Sequence, residues 1–554
     1  MKKNLLGKHL ALPLGAVLLI SLSSCNLWSL VQPGGTGTTS GLQTAAKDGS
    51  TYAAPSLDEA PSGTNYSAKA TSFTQFAVEQ SGAGFVMPST GKINLLVIPV
   101  IIDDFSRNAT ETVRSNIYKS FFGDPSDTSW ESLASFYYKS SFGQLLINGT
   151  VSPWYESGYT SSELSKLTYS GKSEYSSLWT PTWDIVENAT AWYAKTYNTD
   201  LSEFDSNNDG VVDAIWFVYS APDASRDSSL DSEDFWAYTY SDLLSYETAV
   251  NNGGKISTRI PFRYSWASYD FMYEGYTSSG LDAHTFIHET GHLMGLDDYY
   301  VSSKSSNYAT NYGPMGRLDM MDYNIIDHDA YSKFALGWIK PFVVTGSANI
   351  ILKPSETTGQ AILLPTTTNG WNGSAFDEYM LLEFYTPSLL NKKDSVSAYP
   401  GNDTQGFTES GVRIYHVDAR QIEIDGGSHN YTDTVITPSS KNNYAYSVMA
   451  HSNSSSQNEK LGTALAFRLI QEIDCTHKRN FDIDYDTLIN STGTHRIGVL
   501  ADNSTLFQAG DSFSFGAYSA SFPKSTMNDG NAFPFTASFS AMSSDSITVS
   551  IVAK

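Results

Sequence analysis

The pattern of apolar and polar positions divides the chain into two parts that meet near residue 343. In the first part, apolar runs typical of strands alternate with stretches whose apolar residues recur every three to four positions, as in helices. This alternation predicts a domain that combines helices and strands. The predicted strands are Ile93–Asp104, Gln144–Thr150 and Ala214–Ser220, and the predicted helices are Thr110–Phe122, Trp130–Ser140 and one through Trp183, Val186, Ala189 and Tyr193.

From residue 344 to residue 554 the pattern consists of short alternating runs separated by Gly, Ser, Asn and Pro. This pattern is typical of antiparallel β-sandwich or jelly-roll modules. We find no second set of catalytic residues there, so we expect this region to support the first domain. The alternating runs are Ala348–Leu352, Ala361–Leu364, Tyr379–Phe384, Val412–Val417, Ala464–Ile470 and Ile547–Ile551.

The N-terminus has the composition of a targeting segment, residues 1–24. Three lysines within the first eight residues precede the apolar run Leu10–Leu22, which is too short to span a membrane. The sequence Leu22-Ser23-Ser24-Cys25 then resembles the lipobox of bacterial lipoproteins, in which the cysteine is lipidated. We therefore expect a lipid on Cys25 to anchor the protein at the bacterial cell surface. The alternative is an ordinary secretory signal with an incidental cysteine.

Residues 25–72 are rich in Ser, Thr and Gly and predict a flexible tether. Residues 73–89 are more apolar and fit either an ordered arm or a pro-segment. The second of the two cysteines, Cys475, has no intramolecular partner if Cys25 is lipidated. The fold must then be stabilised by apolar burial, with or without a contribution from metal ions.

Composition and charge exclude two classes of partner. The 554 residues carry a formal net charge of −24, which argues against binding to nucleic acid or to an anionic membrane surface. Contact with a membrane is expected only through the N-terminal lipid, and we expect a monomer. The length predicts two or three domains.

One stretch, from His288 to Asp298, carries the chemistry. It reads H-E-x-x-H followed by x-x-G-x-x-D. On a helix, residues four apart lie on one face, so His288 and His292 can present two imidazoles to one metal ion. Glu289 can then reach a metal-bound water without itself being a ligand. A turn at Gly295 could bring Asp298 to the same metal as a third ligand.

A second polar stretch, Asp205 to Asp213, has the spacing of the start of a calcium loop. The oxygen ligands would come from Asp205, Asn207, Asp209, Val211 and Asp213. The twelfth position is Trp216 instead of Glu, and a strand follows, so this is not an EF-hand. Calcium binding and a plain Asp/Asn/Gly turn both remain open.

The motif H-E-x-G-H-x-x-G-L-x-D, with Asp319-Met320-Met321-Asp322-Tyr323-Asn324 downstream, resembles the metzincin clan of zinc peptidases. Within that clan the chain is similar to immune inhibitor A-type bacterial peptidases. The resemblance covers about residues 90–345. Other stretches that carry it are Ser132–Tyr138, Ser141–Gly143, the Asp205 loop and Asp327–Trp338.

The resemblance implies an α+β metzincin-like peptidase domain over residues 90–343, with a mixed twisted sheet and an active-site helix. It implies that His288, His292 and Asp298 bind zinc and that Glu289 is the general base. Asp297 is the alternative to Asp298 as a ligand. The resemblance also implies that Met321 forms an apolar floor beneath the metal, with Met320 as the alternative. It implies further that Tyr323 stabilises the transition state, the alternative being a tyrosine that only packs in a tight turn.

Two functions follow as hypotheses. The first is a secreted, lipid-anchored zinc endopeptidase that hydrolyses extracellular proteins or peptides. The second is a non-catalytic surface adhesin or binding lipoprotein that retains a peptidase-like fold. All the candidate ligands and Glu289 are present, which favours the enzyme.

Overall fold

The computed structural model describes residues 86–554 except for a set of internal gaps. The signal peptide, Cys25, the tether, most of the segment 73–89 and Asp209 of the predicted calcium loop lie outside the described residues. The gaps are residues 170–181, 209, 232–233, 242–258, 260, 274–279, 301–313, 400–403, 425–430, 437–445, 450–451, 454–467, 477–480, 482–484, 491–492, 499, 520 and 523.

The described residues form helices mainly in the first part of the chain and strands throughout. The helices are α1 (Glu111–Phe122), α2 (Leu133–Ser140), α3 (Ser161–Tyr169), α4 (Thr182–Tyr197), α5 (His284–Leu293), α6 (Met320–Tyr323), α7 (Ala330–Ala335), α8 (Ser355–Thr358) and α9 (Lys392–Val396). The strands of the first part are β1 (Gly91–Ile101), β2 (Leu145–Val151), β3 (Tyr155–Glu156), β4 (Ile215–Tyr219), β5 (Tyr238–Ser241) and β6 (Arg263–Ser268).

The remaining strands follow residue 341. They are β7 (Phe342–Val343), β8 (Ala348–Leu352), β9 (Ala361–Pro365), β10 (Glu378–Tyr385), β11 (Gly411–Asp418), β12 (Gln421–Ile424), β13 (Tyr431–Ile436), β14 (Tyr446–Met449), β15 (Ile470–Glu472), β16 (Tyr485–Asn490), β17 (Gly493–Gly498), β18 (Ser512–Ser514), β19 (Phe535–Ser540) and β20 (Ile547–Ala553).

The first part is built on a six-stranded mixed sheet in the order β2-β1-β4-β6-β5, with β3 also paired to β1. Neighbouring strands are parallel except at β5, which runs antiparallel to β6 and is the last strand on its side among the described residues. Each face of this sheet is covered by helices, so β1 reads as an almost continuous apolar run.

Alternate residues of the sheet enter two separate apolar clusters. Ile93, Leu95 and Val97 of β1 pack with residues of α1, α2 and α5 on one face. Leu96 and Ile98 pack with residues of α4 on the other face. This alternation is the normal consequence of a strand geometry in which successive side chains point to opposite faces. The active-site candidates on α5 therefore lie on the first of these faces.

The second part of the chain contains two sheets that share one apolar cluster. A five-stranded sheet in the order β15-β11-β10-β9-β7 and a four-stranded sheet in the order β18-β19-β20-β8 both contribute to it. Two smaller sheets, β13-β12-β14 and β16-β17, complete the described strands. Two facing sheets that bury their inner side chains between them form the packing typical of sandwiches.

The five-stranded sheet is also buried on its other face, where it packs against the first part of the chain. In β10, Met380 and Leu382 enter the cluster shared by the two sheets, whereas Tyr379 and Leu381 join the cluster that contains α5. Strands β9 and β11 alternate in the same way. The apolar core therefore continues across residue 343 and does not divide there.

The element types predicted from the pattern are confirmed for every predicted run that the structure describes in full. Helices α1, α2 and α4 and strands β1, β2, β4, β8, β9, β10, β11 and β20 lie where they were expected, within a few residues at their ends. The predicted strand Ala464–Ile470 falls largely on residues that are not described, and β15 begins at its last residue. The coarse expectation of helices combined with a mixed sheet, followed by further sheets, is confirmed.

Two further features bear on the sequence predictions. None of the helices in the described part of the chain has the length and apolar character that a bilayer crossing requires. Cys475 is buried and packs within the cluster between the two sheets of the second part.

A buried arginine of the second part reaches a loop of the first part. Arg413 on β11 is 2% exposed and donates to both carboxylate oxygens of Glu472, at 2.9 and 2.8 Å. Its Nη2 also donates to the backbone carbonyl of Leu318 at 2.7 Å. Leu318 lies just before α6, so the guanidinium joins the five-stranded sheet to the segment that carries Met321.

We expect Arg413→Met to lower the free energy of unfolding by about 3–5 kcal/mol, because it leaves the buried Glu472 carboxylate without its cation. Chemical denaturation followed by tryptophan fluorescence would measure the loss. Arg114→Met is the matched control, because Arg114 pairs with the exposed Glu111 and should cost about 1 kcal/mol or less. Equal losses in the two variants would contradict the structural role assigned to Arg413.

Candidate metal centre

Helix α5 is held in place by hydrogen bonds from both neighbouring layers. The indole of Trp216 on β4 donates to the hydroxyl of Thr290 at 3.1 Å, and the phenol of Tyr137 on α2 donates to the carbonyl of Ile287 at 2.6 Å. The helix begins at His284, directly after Ala283. Asp282 accepts from the first backbone N–H groups, at 2.8 Å from Ala283 and 3.3 Å from His284.

The end of α5 brings three side chains together. Gly295 has a φ of 105°, in the left-handed region that favours glycine, and it turns the chain back toward the helix. As a result the Oδ1 atom of Asp298 lies 3.0 Å from the Nε2 atom of His288 and 3.1 Å from that of His292. The two Nε2 atoms are 3.1 Å apart. Among the described residues, these three form the one group of acidic and imidazole side chains arranged to hold a metal ion.

Backbone carbonyls fix the orientation of both imidazole rings. The Nδ1 atom of His288 lies 2.8 Å from the carbonyl oxygen of Met320, and that of His292 lies 2.8 Å from the carbonyl oxygen of Leu296. A carbonyl can only accept, so both Nδ1 atoms carry the proton. When the rings are neutral, both Nε2 atoms present a lone pair toward the same point, which is the tautomer that a metal ligand requires.

The donor set fits zinc. Two imidazole nitrogens and one carboxylate oxygen are the usual ligands of a catalytic zinc site, which keeps a fourth position open. Zinc bonds of about 2.0 Å place two ligand atoms of a tetrahedron about 3.3 Å apart, close to the 3.0–3.1 Å found here. The side chains of His292 and Asp298 are 18% and 20% exposed, so the cluster is open to solvent on that side.

The two adjacent aspartates have different surroundings. Asp298 points into the imidazole pair, whereas Asp297 accepts a hydrogen bond from the hydroxyl of Ser452. Burial raises the pKa of Asp297 to about 6. Asn453, which follows Ser452 in the chain, is buried and donates to the backbone carbonyl of Tyr299 at 2.8 Å. The second part of the chain thus holds the loop that carries the third candidate ligand.

The structure also places the two candidate methionines. A Cβ atom added to Gly291 would lie 2.7 Å from the sulfur of Met321, so Met321 packs directly beneath the helix between the two histidines. Met320 contributes its backbone carbonyl to His288, as described above. Both methionines are fully buried. Met321 is therefore the methionine whose side chain packs against α5 at Gly291.

Glu289 lies beside the three candidate ligands and is itself 6% exposed. Its Oε2 atom accepts a hydrogen bond from the hydroxyl of Thr239 on the edge strand β5, at 3.0 Å. Burial raises the pKa of Glu289, and the imidazoles of His292 and His288 oppose that rise. A buried carboxyl with a raised pKa, next to a metal-type donor set, has the character of a general base.

The three candidate ligands are coupled electrostatically. Burial lowers the pKa of His292, but the Asp298 carboxylate outweighs it and raises the value to about 10. Burial acts to raise the pKa of Asp298, yet the two imidazoles hold it well below its ordinary range. The positive charge on His292 and the negative charge on Asp298 therefore stabilise each other. A divalent cation bound at this point can take the place of the imidazole proton.

Two tyrosines lie near this region. The ring of Tyr323 stacks under the guanidinium of Arg317, at 4.7 Å from its centroid. Tyr300, which the sequence analysis did not single out, hydrogen-bonds to Asp298, and burial together with the carboxylates of Asp298 and Glu289 raises its pKa. An aromatic residue two positions after a ligand follows no recognisable spacing, so no sequence signal pointed to it.

The Asp205 loop is described in part. The Oδ2 atom of Asp205 accepts from the guanidinium of Arg259 at 2.6 Å and from the N–H of Gly210 at 3.1 Å. Asp213 accepts from the backbone N–H and the hydroxyl of Ser206. These bonds occupy oxygens that calcium would use, although Asp209 is not among the described residues. Calcium binding here stays a prediction.

His284 lies one helical turn before His288 and is fully buried. Its ring lies between those of Trp130 and Tyr399, each with its centroid 4.2 Å away. Its Nδ1 atom is 2.5 Å from Asp282 Oδ1, and its Nε2 atom is 3.8 Å from Asp394 Oδ2. Burial lowers the pKa of His284, but the two carboxylates outweigh it and raise the value to about 9. This imidazolium joins the start of α5 to α9.

Comparison with known proteins adds no identification. No model of a known protein family matches the sequence. No curated protein matches it either.

The arrangement of the two aspartates gives a first test of the centre. We expect Asp298→Ala to abolish binding of stoichiometric zinc, because it removes one of three ligands. Asp297→Ala, its matched control, should retain zinc because that side chain points to Ser452. Metal content after dialysis, measured by inductively coupled plasma mass spectrometry, distinguishes the two. If Asp297→Ala loses zinc and Asp298→Ala keeps it, the third ligand is Asp297 and the assignment to Asp298 is wrong.

The charged His284 predicts a pH dependence of stability. Because its folded pKa of about 9 exceeds the ordinary value of about 6.5, its contribution is complete below that ordinary value. It then falls as the pH rises through the folded pKa. The total is at most roughly 3 kcal/mol. The stability difference between the parent protein and His284→Asn, measured by chemical denaturation, should therefore shrink between about pH 6.5 and 9. A pH-independent difference would count against a charged His284.

Proposed function

We propose that the chain is a zinc-dependent endopeptidase. The observation that carries the proposal is the convergence of His288, His292 and Asp298 on one point, with the buried carboxyl of Glu289 beside it. The methionine beneath the helix and the glycine turn that delivers Asp298 add support, since they accompany the same motif in the metzincin clan. The resemblance to immune inhibitor A-type peptidases belongs to this proposal.

In this proposal the residues divide the work. His288, His292 and Asp298 hold the zinc. When bound there, zinc would supply a water of lowered pKa, about 7, and a Lewis acid for the substrate carbonyl. Glu289 accepts the proton of the attacking water and later passes it to the amine that leaves. The backbone carbonyls of Met320 and Leu296 keep the imidazoles oriented throughout.

The position of β5 in the sheet favours a peptide as the substrate. β5 pairs only with β6 among the described residues, so its outer edge has unpaired backbone donors and acceptors. Its Thr239 contacts Glu289, so that edge runs past the proposed catalytic carboxyl. An extended peptide can add to such an edge by main-chain hydrogen bonds. A peptide bound in this way would have its scissile bond near the proposed metal, without any demand on the side chains of the peptide.

We also propose that the enzyme acts outside the bacterial cell, anchored by a lipid on Cys25. The support is the lipobox-like sequence and the short apolar run before it. Its substrates would then be extracellular proteins or peptides.

The test is hydrolysis of denatured casein by the full chain and by Glu289→Ala. We expect chelator-sensitive hydrolysis by the parent and a loss of at least about a thousandfold in the variant, with zinc still bound, because Glu289 moves the proton but is not a ligand. Hydrolysis is measured as the release of fluorescent peptides from labelled casein, and the metal content of each protein is measured alongside.

Three results would count against the proposal. They are a parent protein that contains zinc but is inactive, a Glu289→Ala variant that is active, and a Glu289→Ala variant that no longer contains zinc. The first would favour the non-catalytic binding lipoprotein.

A further inference from the structure

A hydroxyl group on the edge strand holds the carboxylate of Glu289. The Oγ1 atom of Thr239 lies 3.0 Å from Glu289 Oε2 and also 3.0 Å from the backbone carbonyl oxygen of the same residue. On its other side it lies 2.8 Å from the hydroxyl of Ser265 on β6. Glu289 Oε1 accepts no hydrogen bond from the described residues, so one carboxylate oxygen is held and the other is left available.

The register of the two strands explains why these hydroxyls meet the helix. Thr239 and Ser265 are directly opposite each other in the antiparallel pair β5–β6. Side chains alternate along a strand, so the neighbours of Thr239 point to the other face. There Tyr238 hydrogen-bonds to Thr182 at the start of α4, and Tyr240 lies against Trp183. The hydroxyls of Thr239 and Ser265 therefore lie on the face of the sheet opposite to Tyr238 and Tyr240, the face that α5 covers.

The hydrogens available at this pair favour a bond to the carboxylate. Thr239 has a single hydroxyl hydrogen and three oxygens within reach, two of them on Glu289. If Ser265 donates to Thr239, the hydrogen of Thr239 remains free for Glu289. A hydroxyl bond to an ionised carboxylate is stronger than one to a neutral carbonyl. The pair can thus act as a chain that ends on Oε2.

We propose that Thr239, supported by Ser265, is a positioning residue for Glu289: it holds Oε2 so that Oε1 is the oxygen that exchanges the proton. This inference rests on the proposed function. Thr239 itself touches neither the candidate metal ligands nor the reacting water in this role. Its effect should therefore appear in the rate of the chemical step and leave the affinity for substrate and metal unchanged.

The experiment compares Thr239→Val, which removes the hydroxyl but keeps the shape, with Thr239→Ser, which keeps the hydroxyl. We expect Thr239→Val to lower kcat roughly 10- to 100-fold, the usual effect of losing a partner that orients a functional group at a metal site. KM and zinc content should stay at the parental values. Thr239→Ser should retain kcat within about threefold of the parent.

Thr182→Val is the matched control. It makes the same chemical change in a buried hydroxyl that contacts Tyr238 and Tyr264 on the opposite face of the sheet, away from Glu289. We expect it to keep the parental kcat. A loss in Thr182→Val as large as in Thr239→Val would mean that the sheet in general, and not the hydroxyl on Glu289, sets the rate.

The inference is overturned if Thr239→Val keeps the parental kcat, if Thr239→Ser is as impaired as Thr239→Val, or if the loss of rate follows a loss of zinc. These outcomes require an active parent, so they are distinct from failure of the peptidase proposal. A crystal structure of the parent protein gives a reading that needs neither activity nor a stable variant. Glu289 Oε2 should lie within hydrogen-bond distance of Thr239 Oγ1, and a carboxylate turned away from it would overturn the inference.

Discussion

Two hydrogen bonds from imidazole rings to backbone carbonyls underlie the whole candidate centre. They put a proton on Nδ1 of each ring, so in the neutral form of each ring the lone pair is on Nε2. The accepting carbonyls belong to Leu296, in the turn after α5, and to Met320, at the start of α6. The ligands are thus oriented by two loops. Anything that moves either loop changes the direction in which a histidine points, even if the helix that carries it stays in place.

Both loops are held by the second part of the chain. Asn453 donates to the carbonyl of Tyr299 in the first loop, and Arg413 donates to the carbonyl of Leu318 in the second. Both side chains are buried, so these bonds are shielded from water and a lost partner would be costly. The five-stranded sheet is consequently part of the structure of the centre. Both faces of the five-stranded sheet are buried because it lies between these loops on one side and the four-stranded sheet on the other.

Much of the centre could be predicted from local spacing. His288 and His292 follow from helical periodicity, and the positive φ of Gly295 follows from the need for a turn. The choice of Asp298 over Asp297 could not be decided in that way, because it depends on Ser452, far along the chain. The same holds for Thr239, which reaches Glu289 only through the register of β5 with β6. Periodicity reports which face a residue occupies, but it carries no information on which distant element will cover that face.

The positions of these supporting residues along the chain determine when the centre can form. Arg413 follows Leu318 by 95 residues, and Asn453 follows Tyr299 by 154. A ribosome therefore completes the metal-binding motif long before it adds the residues that hold the motif's two loops. During synthesis the two histidines and Asp298 emerge before the side chains that hold their loops, so the three-residue cluster can be held in place only after Asn453 has been added. The order of the chain thus delays assembly of the cluster until a late stage of synthesis.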